Sequence, residues 1–179
     1  MRRIPRWVRR TLILVLLVVI GVVLYRSAHV QGLQWPIVTT KVVKVVDGDT
    51  IEVKIAGKLE EIRLVGINTP ETVKRNWPIE CYGPEASKRA KELMPVGTTV
   101  TLTSDSASGD RDKYHRLLRY ITLPDGSDYG LGTVASGYAH EYDYKGQRYS
   151  KRKEYQTAQA EARSQHRGLW DPAGCNGKP

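Results

Sequence analysis

The sequence predicts an α+β domain in which five β-strands form a small barrel with about three packed helices, preceded by an N-terminal transmembrane helix. Three observations lead there. Five runs rich in β-branched residues lie between Val38 and Leu123. Helical patterns interrupt them after the third run and follow them near the chain's end. Fifteen charge-free residues also stand near the N-terminus, behind a cluster of arginines.

The N-terminal region comes first. Residues 1–26 contain Arg2, Arg3, Arg6, Arg9, Arg10 and Arg26 and no acidic residue. As a helix, the charge-free stretch Thr11 to Tyr25 would extend about 22 Å, short of a ~30 Å hydrocarbon core. Snorkelling arginines or local bilayer thinning can close that gap. A cleaved signal peptide has the same layout, but Arg26 and His29 disturb the small-residue spacing around Ser27 and Ala28, so an uncleaved anchor is expected. In either case the arginines keep the N-terminus cytoplasmic and send the remaining chain to the periplasmic or extracellular side. The 179-residue chain has a formal charge of +9. Without those six arginines it holds 22 basic and 19 acidic residues, or +3, so bulk charge does not mark the remainder as a nucleic-acid binder.

Residues 27–37 lack periodicity and read as a linker. Val38–Val46, Thr50–Ala56 and Leu59–Ile67 then read as strands, with Ala56-Gly57-Lys58 turning the hairpin between the last two. Glu71 to Tyr82 is a polar, proline-containing loop. Gly83-Pro84-Glu85 opens a helix, with proline in its first turn and glutamate at the positive end of its dipole, and Met94-Pro95 closes it. Thr98–Thr103 and Leu117–Leu123 are two more strands, flanking the polar loop Ser104–His115. Residues 129–137 stay ambiguous, because Gly130 and Gly132 weaken a helix there. Ser150 to Arg167 is made of helix formers, with Gly168 as its stop. The domain should therefore occupy 38–171, with a short tail over 172–179 and no internal repeat.

Three segments hold the chemistry: VDGDT (46–50), IRLVGINTPE (62–71) and DKYHR (112–116). Singly, each has an ordinary reading. Asp47-Gly48-Asp49 is a turn between strands, Asn68-Thr69-Pro70-Glu71 is a strand-ending turn, and Arg63 is a salt-bridged strand residue. Together they supply what phosphodiester hydrolysis requires. Asp49, Asn68 and the Thr69 carbonyl offer oxygen ligands to a hard divalent cation. Glu71 can orient or deprotonate a water. Arg63 and Arg116 can grip a phosphate and stabilise charge in the transition state.

These segments, in this order, resemble the thermonuclease (staphylococcal nuclease-like) family. YGPEAS (82–87) matches the start of that family's first helix, and Gly168-Leu169-Trp170 its ending, so the likeness runs from about Val38 to Trp170. The resemblance implies an OB-fold barrel and calcium-dependent cleavage of single- or double-stranded DNA and RNA to 3′-phosphorylated products, by a protein acting as a monomer. It also implies roles for individual residues. Asp49 and Thr69 would bind calcium. Arg63, Glu71 and Arg116 would be catalytic. Lys113 and Tyr114 would flank a terminal phosphate. Tyr142 and Tyr144 would line the nucleotide pocket, although both also suit half-buried positions in a barrel wall. Two departures stand out. Asn68 replaces a metal-binding aspartate, which removes one negative charge and predicts weaker calcium affinity. His115 stands at a glycine position, either as a loop bystander or as a subsidiary phosphate contact.

Cys81 and Cys175 are the only cysteines. In an exported domain a disulfide is expected rather than a metal site, and closing so long a loop is worth as much as ~4 kcal/mol in the chain-entropy model. The four histidines lack metal-ligand spacing. The competing function is a non-catalytic OB-fold module that binds nucleic acid or protein in the cell envelope.

Overall fold

The computed structural model describes Val15, Leu16, residues 18–20, 37–73 and 76–178. The chain divides into two compact units, Met1–Gln34 and Trp35–Pro179. In the first, the described residues Val15, Leu16 and Val18 to Ile20 are helical. The rest of the expected basic segment and anchor, and all of the linker but Ile37, lie outside the described residues. Among those described, no helix is long and apolar enough to cross a membrane.

In the second unit the described strands close a five-stranded barrel. β1 (Val38–Val45), β2 (Thr50–Ile55) and β3 (Lys58–Leu64) form an antiparallel meander, and β5 (Thr99–Thr103) and β6 (Leu117–Thr122) complete the ring in the order β1-β2-β3-β6-β5. The β1–β5 pair closes it, with Thr39 opposite Thr101. The β3–β6 pair is parallel, with Arg63 opposite Leu118. Between Val42 and Lys44 an extra residue bulges β1 against β2, which bends the strand as barrel curvature requires. Val42, Ile51, Val53, Ile62, Leu102 and Ile121 point inward and are almost fully buried.

Helix α1 (Gly83–Leu93) packs through Ala86, Ala90 and the capping Met94, four residues apart and therefore on one face. Helix α2 (Tyr129–Ala135) resolves the ambiguous stretch. Asp128 caps it by accepting from the Leu131 N–H at 3.0 Å. Its glycines are there for packing: a Cβ on Gly130 would come within 2.6 Å of the Tyr155 hydroxyl of α3 (Arg152–Ser164). Helix α3 is shorter than the sequence suggests. His166, at φ 53°, takes the left-handed position that ends it, and the Arg167 N–H reaches back to the Ala162 carbonyl. Gly168 instead lets the backbone approach Gly137 closely.

The strand expected over Leu59–Ile67 also ends early. Gly66, at φ +79° with the Tyr149 ring against it, turns the chain after Val65. Ile67–Asn68 then forms a separate strand, β4, paired with β7 (His140–Glu141) outside the barrel. This departure carries Asn68, Thr69 and Glu71 toward the barrel mouth. Cys81 and Cys175 are joined by a disulfide, with their Cα atoms 5.7 Å apart. It fixes the C-terminal tail to the segment just before α1.

Candidate active site

Each site residue is held by a local device. The VDGDT loop leaves β1 and is tied down by two bonds: the Leu64 N–H donates to the Asp49 carbonyl (2.9 Å), and the Tyr129 hydroxyl donates to the Gly48 carbonyl (2.7 Å). Gly48 is needed because a Cβ would lie 2.5 Å from the Thr69 side chain. Asp49 is thereby buried, only 5% exposed. Its Oδ1 accepts from the Thr50 hydroxyl (2.9 Å). Its Oδ2 accepts from the Thr69 N–H (2.8 Å) and pairs with Arg63 Nη2 at 3.2 Å.

Arg63 projects from β3 and knits this region together. Nη1 donates to the carbonyls of Leu64 (2.8 Å) and Ile67 (2.9 Å), and Nη2 to Asn68 Oδ1 (3.0 Å). Both terminal nitrogens are thus engaged with the protein, so a free bidentate grip on phosphate by Arg63 is not what the geometry offers. Arg116 differs. Its Nε donates to Asp112 Oδ2 at 2.7 Å, and its terminal nitrogens have no acceptor among the described residues.

The DKYHR loop wraps around Asp112, whose Oδ1 accepts the N–H groups of Tyr114 (2.9 Å) and Arg116 (3.0 Å). This sharp turn puts His115 at φ 66°. The glycine position therefore reflects a left-handed backbone, which a histidine adopts at a cost of about 1–2 kcal/mol. The His115 ring is exposed and does not line the cavity described next.

Asp49, Arg63, Asn68, Thr69, Glu71, Lys113, Tyr114, Arg116, Tyr142 and Tyr144 all line one cavity of about 660 Å³. That volume suits a nucleotide-sized ligand. Tyr142 and Tyr144 follow β7 and are 40% and 41% exposed, so they do not belong to the barrel wall. The Lys113 ammonium lies 4.8 Å from the Tyr114 ring centroid and 5.9 Å from that of Tyr144. The Glu71 carboxylate is oriented by the N–H groups of Thr72 and Val73, each 3.0 Å from Oε1.

Among the further lining residues that the sequence did not single out are Asp47, Glu80 and Trp77. Asp47 accepts from the Asp49 N–H at 3.0 Å. Burial, together with the Asp49 and Glu71 charges, pushes its carboxyl up to about 7, against the opposing Asp49 N–H and Arg63. The folded form holds this proton more tightly than the unfolded chain does. The group alone therefore lowers stability as pH climbs from about 4 through 7. As the first aspartate of the DGD motif, Asp47 sits in a recognisable pattern, but the ordinary turn reading masks it. Nothing in the spacing of Glu80 or Trp77 signals either.

The donor set suits a hard divalent cation. Carboxylates of Asp47, Asp49 and Glu71, the Asn68 amide and the Thr69 carbonyl are all oxygens. Among the described residues, no group of three His, Cys, Asp or Glu is arranged to hold a metal alone. Amide, backbone and water oxygens would have to complete the shell.

A family model described as staphylococcal nuclease homologue matches residues 61–172. The chain is 44% identical over 85 residues to the thermonuclease of Staphylococcus hyicus, a match covering 48% of each chain. It is 36% identical over 143 residues to an uncharacterized endonuclease of Escherichia coli O157:H7, covering 78% of this chain and 84% of that one. It is also 36% identical over 139 residues to endonuclease YncB of Bacillus subtilis, covering 73% and 61%. The aligned region thus spans about half the length of the thermonuclease and most of the Escherichia coli protein. With the barrel, the cavity and these matches in agreement, the chain belongs to the staphylococcal nuclease homologue family.

Proposed function

We propose that this chain is a calcium-dependent nuclease that hydrolyses phosphodiester bonds of DNA and RNA, acts as a monomer and leaves 3′-phosphorylated products. The observation that carries the proposal is the convergence of Asp49, Arg63, Glu71 and Arg116 on one cavity. Asp49, the Asn68 amide and the Thr69 carbonyl would hold calcium, which when bound neutralises phosphate oxygens. Arg116 donates its terminal N–H groups to the phosphate and stabilises charge that grows in the transition state. Arg63 keeps Asp49, Asn68 and the β4 turn in register. Glu71 orients the water and takes its proton as the oxygen attacks phosphorus. The P–O5′ bond breaks and the leaving oxygen is protonated, so one water yields a 3′-phosphate and a 5′-hydroxyl. Lys113, Tyr114, Tyr142 and Tyr144 bind the flanking nucleotide. Contacts confined to phosphate, sugar and ring faces carry little base information, so sequence preference is low.

Export belongs to the same proposal. The arginine-flanked apolar run would anchor the chain with its nuclease domain outside the cytoplasm. The Cys81–Cys175 disulfide favours such an oxidising location.

The test is cleavage of single-stranded DNA by the full chain with calcium, with chelator, and with Glu71→Gln. Calcium-dependent cleavage is expected, and kcat should fall about a hundredfold or more in the variant. Equal cleavage in all three samples would reject the proposal. A binding module would instead retain DNA without cutting it. Asn68→Asp should restore a charge beside Arg63 and tighten calcium half-saturation roughly tenfold. Superimposable calcium titrations would refute that assignment.

A further inference from the structure

The DKYHR segment is the turn of a small hairpin, and Arg111 stands at its base. Arg111 bridges to Leu117 across the hairpin, and the Leu118 N–H donates to the Asp110 carbonyl at 2.9 Å. At the tip, the His115 N–H donates to the Asp112 carbonyl (3.0 Å), while Arg111 Nη1 donates to the His115 carbonyl (2.7 Å). That carbonyl belongs to the planar peptide joining His115 to Arg116, so Arg111 fixes the plane from which the Arg116 side chain departs. Arg111 is itself held from the barrel. Glu60 on β3 accepts from it bidentately, with Oε2 2.8 Å from Nη1 and Oε1 3.1 Å from Nη2. The hydrogen bond from Arg111 also holds the Glu60 carboxyl below the ordinary glutamate range. An ion pair whose side chains are 39% and 22% exposed adds little to global stability. Its fork geometry nevertheless fixes direction. His115 sits at φ 66°, a strained backbone for a histidine, which persists only where its surroundings hold it.

We propose that Glu60 and Arg111 form a clamp that holds the left-handed turn at His115 and thereby positions Arg116 against the phosphate. Both are positioning residues, acting through Arg116 and not on the substrate. The inference rests on the nuclease reading and deepens it: the aim of Arg116 is set from β3, through Arg111, by way of one peptide group. Misplacing a catalytic group by about 1 Å costs on the order of a hundredfold in rate, so the clamp matters little to folding and much to turnover.

The test measures kcat, KM and the urea midpoint, with calcium and single-stranded DNA, for the full chain and for Arg111→Ala, Glu60→Ala and the two combined. Each is made with His115 and again with His115→Gly. Arg111→Ala and Glu60→Ala should each lower kcat about tenfold to a hundredfold while the urea midpoint stays near that of the wild type. The combined variant should lose no more than Arg111→Ala, because both substitutions open one clamp. His115→Gly alone should cleave like the wild type. In that background, where glycine takes the left-handed backbone freely, Arg111→Ala should lose no more than about threefold. Arg111 lines the cavity, so a direct contact with phosphate is the rival role. It predicts equal losses in both backgrounds and a Glu60→Ala variant as active as the wild type, and either result would overturn the proposal. So would losses of kcat that track a falling urea midpoint, since the pair would then serve only the fold. Absence of cleavage by the wild type removes the nuclease reading and this inference together, whereas cleavage indifferent to both substitutions removes this inference alone.

Discussion

Replacing Arg63 by alanine should lower kcat on single-stranded DNA by about a thousandfold and destabilise the domain by about 3 kcal/mol in the presence of chelator. The effect is large because this side chain does several things at once. It is the cation beside the buried Asp49 carboxylate, and it donates to two carbonyls and to Asn68. Alanine would leave Asp49 buried without its countercharge and the turn carrying Asn68 and Thr69 without its tie. Lysine keeps the charge but cannot reach four acceptors with one ammonium, so Arg63→Lys should regain part of the stability and little of the activity. Calcium should restore some stability to Arg63→Ala, since a bound cation takes over the missing positive charge. Urea unfolding with and without calcium, alongside single-turnover cleavage, separates the two effects. A variant with wild-type kcat would remove Arg63 from the machinery.

Asp105→Ala is the largest purely structural change expected, at about 3 kcal/mol or more in denaturant unfolding. Asp105 is 2% exposed and acts as a hub. Its Oδ1 accepts from the Ala107 N–H (2.8 Å) and the Ser150 hydroxyl (2.9 Å), and its Oδ2 from the Ser150 N–H (2.5 Å) and the Tyr120 hydroxyl. It thereby joins the exit of β5, strand β6 and the approach to α3. Burial by itself would raise this carboxyl, but the hydrogen bonds from Tyr120, Ser150 and Ala107 outweigh it and hold the group below the ordinary aspartate value. A folded-state value lower than the unfolded one stabilises the protein above about pH 4, and the contribution disappears as pH falls through the folded value. Asp105→Asn, which would set an amide N–H against donors, should therefore lose stability near neutrality and show a flatter acid limb. A variant within 1 kcal/mol of wild type at pH 7 would contradict the hub role.

How legible the molecule is from sequence follows from which forces set each part. The barrel strands could be read because β-branched runs and the Ala56-Gly57 turn are local signals, and the start of α1 because proline and an acidic first turn are local too. Boundaries set by distant contacts could not. The end of β3 depends on Tyr149 crowding Gly66, and the helix over Tyr129–Ala135 depends on Tyr155 needing the space at Gly130. Helix α3 ends on a left-handed His166 that no propensity marks. At the cavity, residues in short motifs were identifiable. Asp47 hid within an ordinary turn pattern, and Glu80 and Trp77 acquire meaning only when the loop closes. The engaged state of Arg63, against the open terminal nitrogens of Arg116, is likewise a matter of three-dimensional hydrogen bonding.

The parallel pairing of β3 with β6 brings the strand that carries Arg63, which faces Leu118, against the strand that Arg116 immediately precedes. Parallel neighbours need a long crossover, and contacts between such distant stretches form late, after the costly closure of the intervening loop. Asp49, Arg63, Glu71 and Arg116 consequently share one cavity only once the ring has closed.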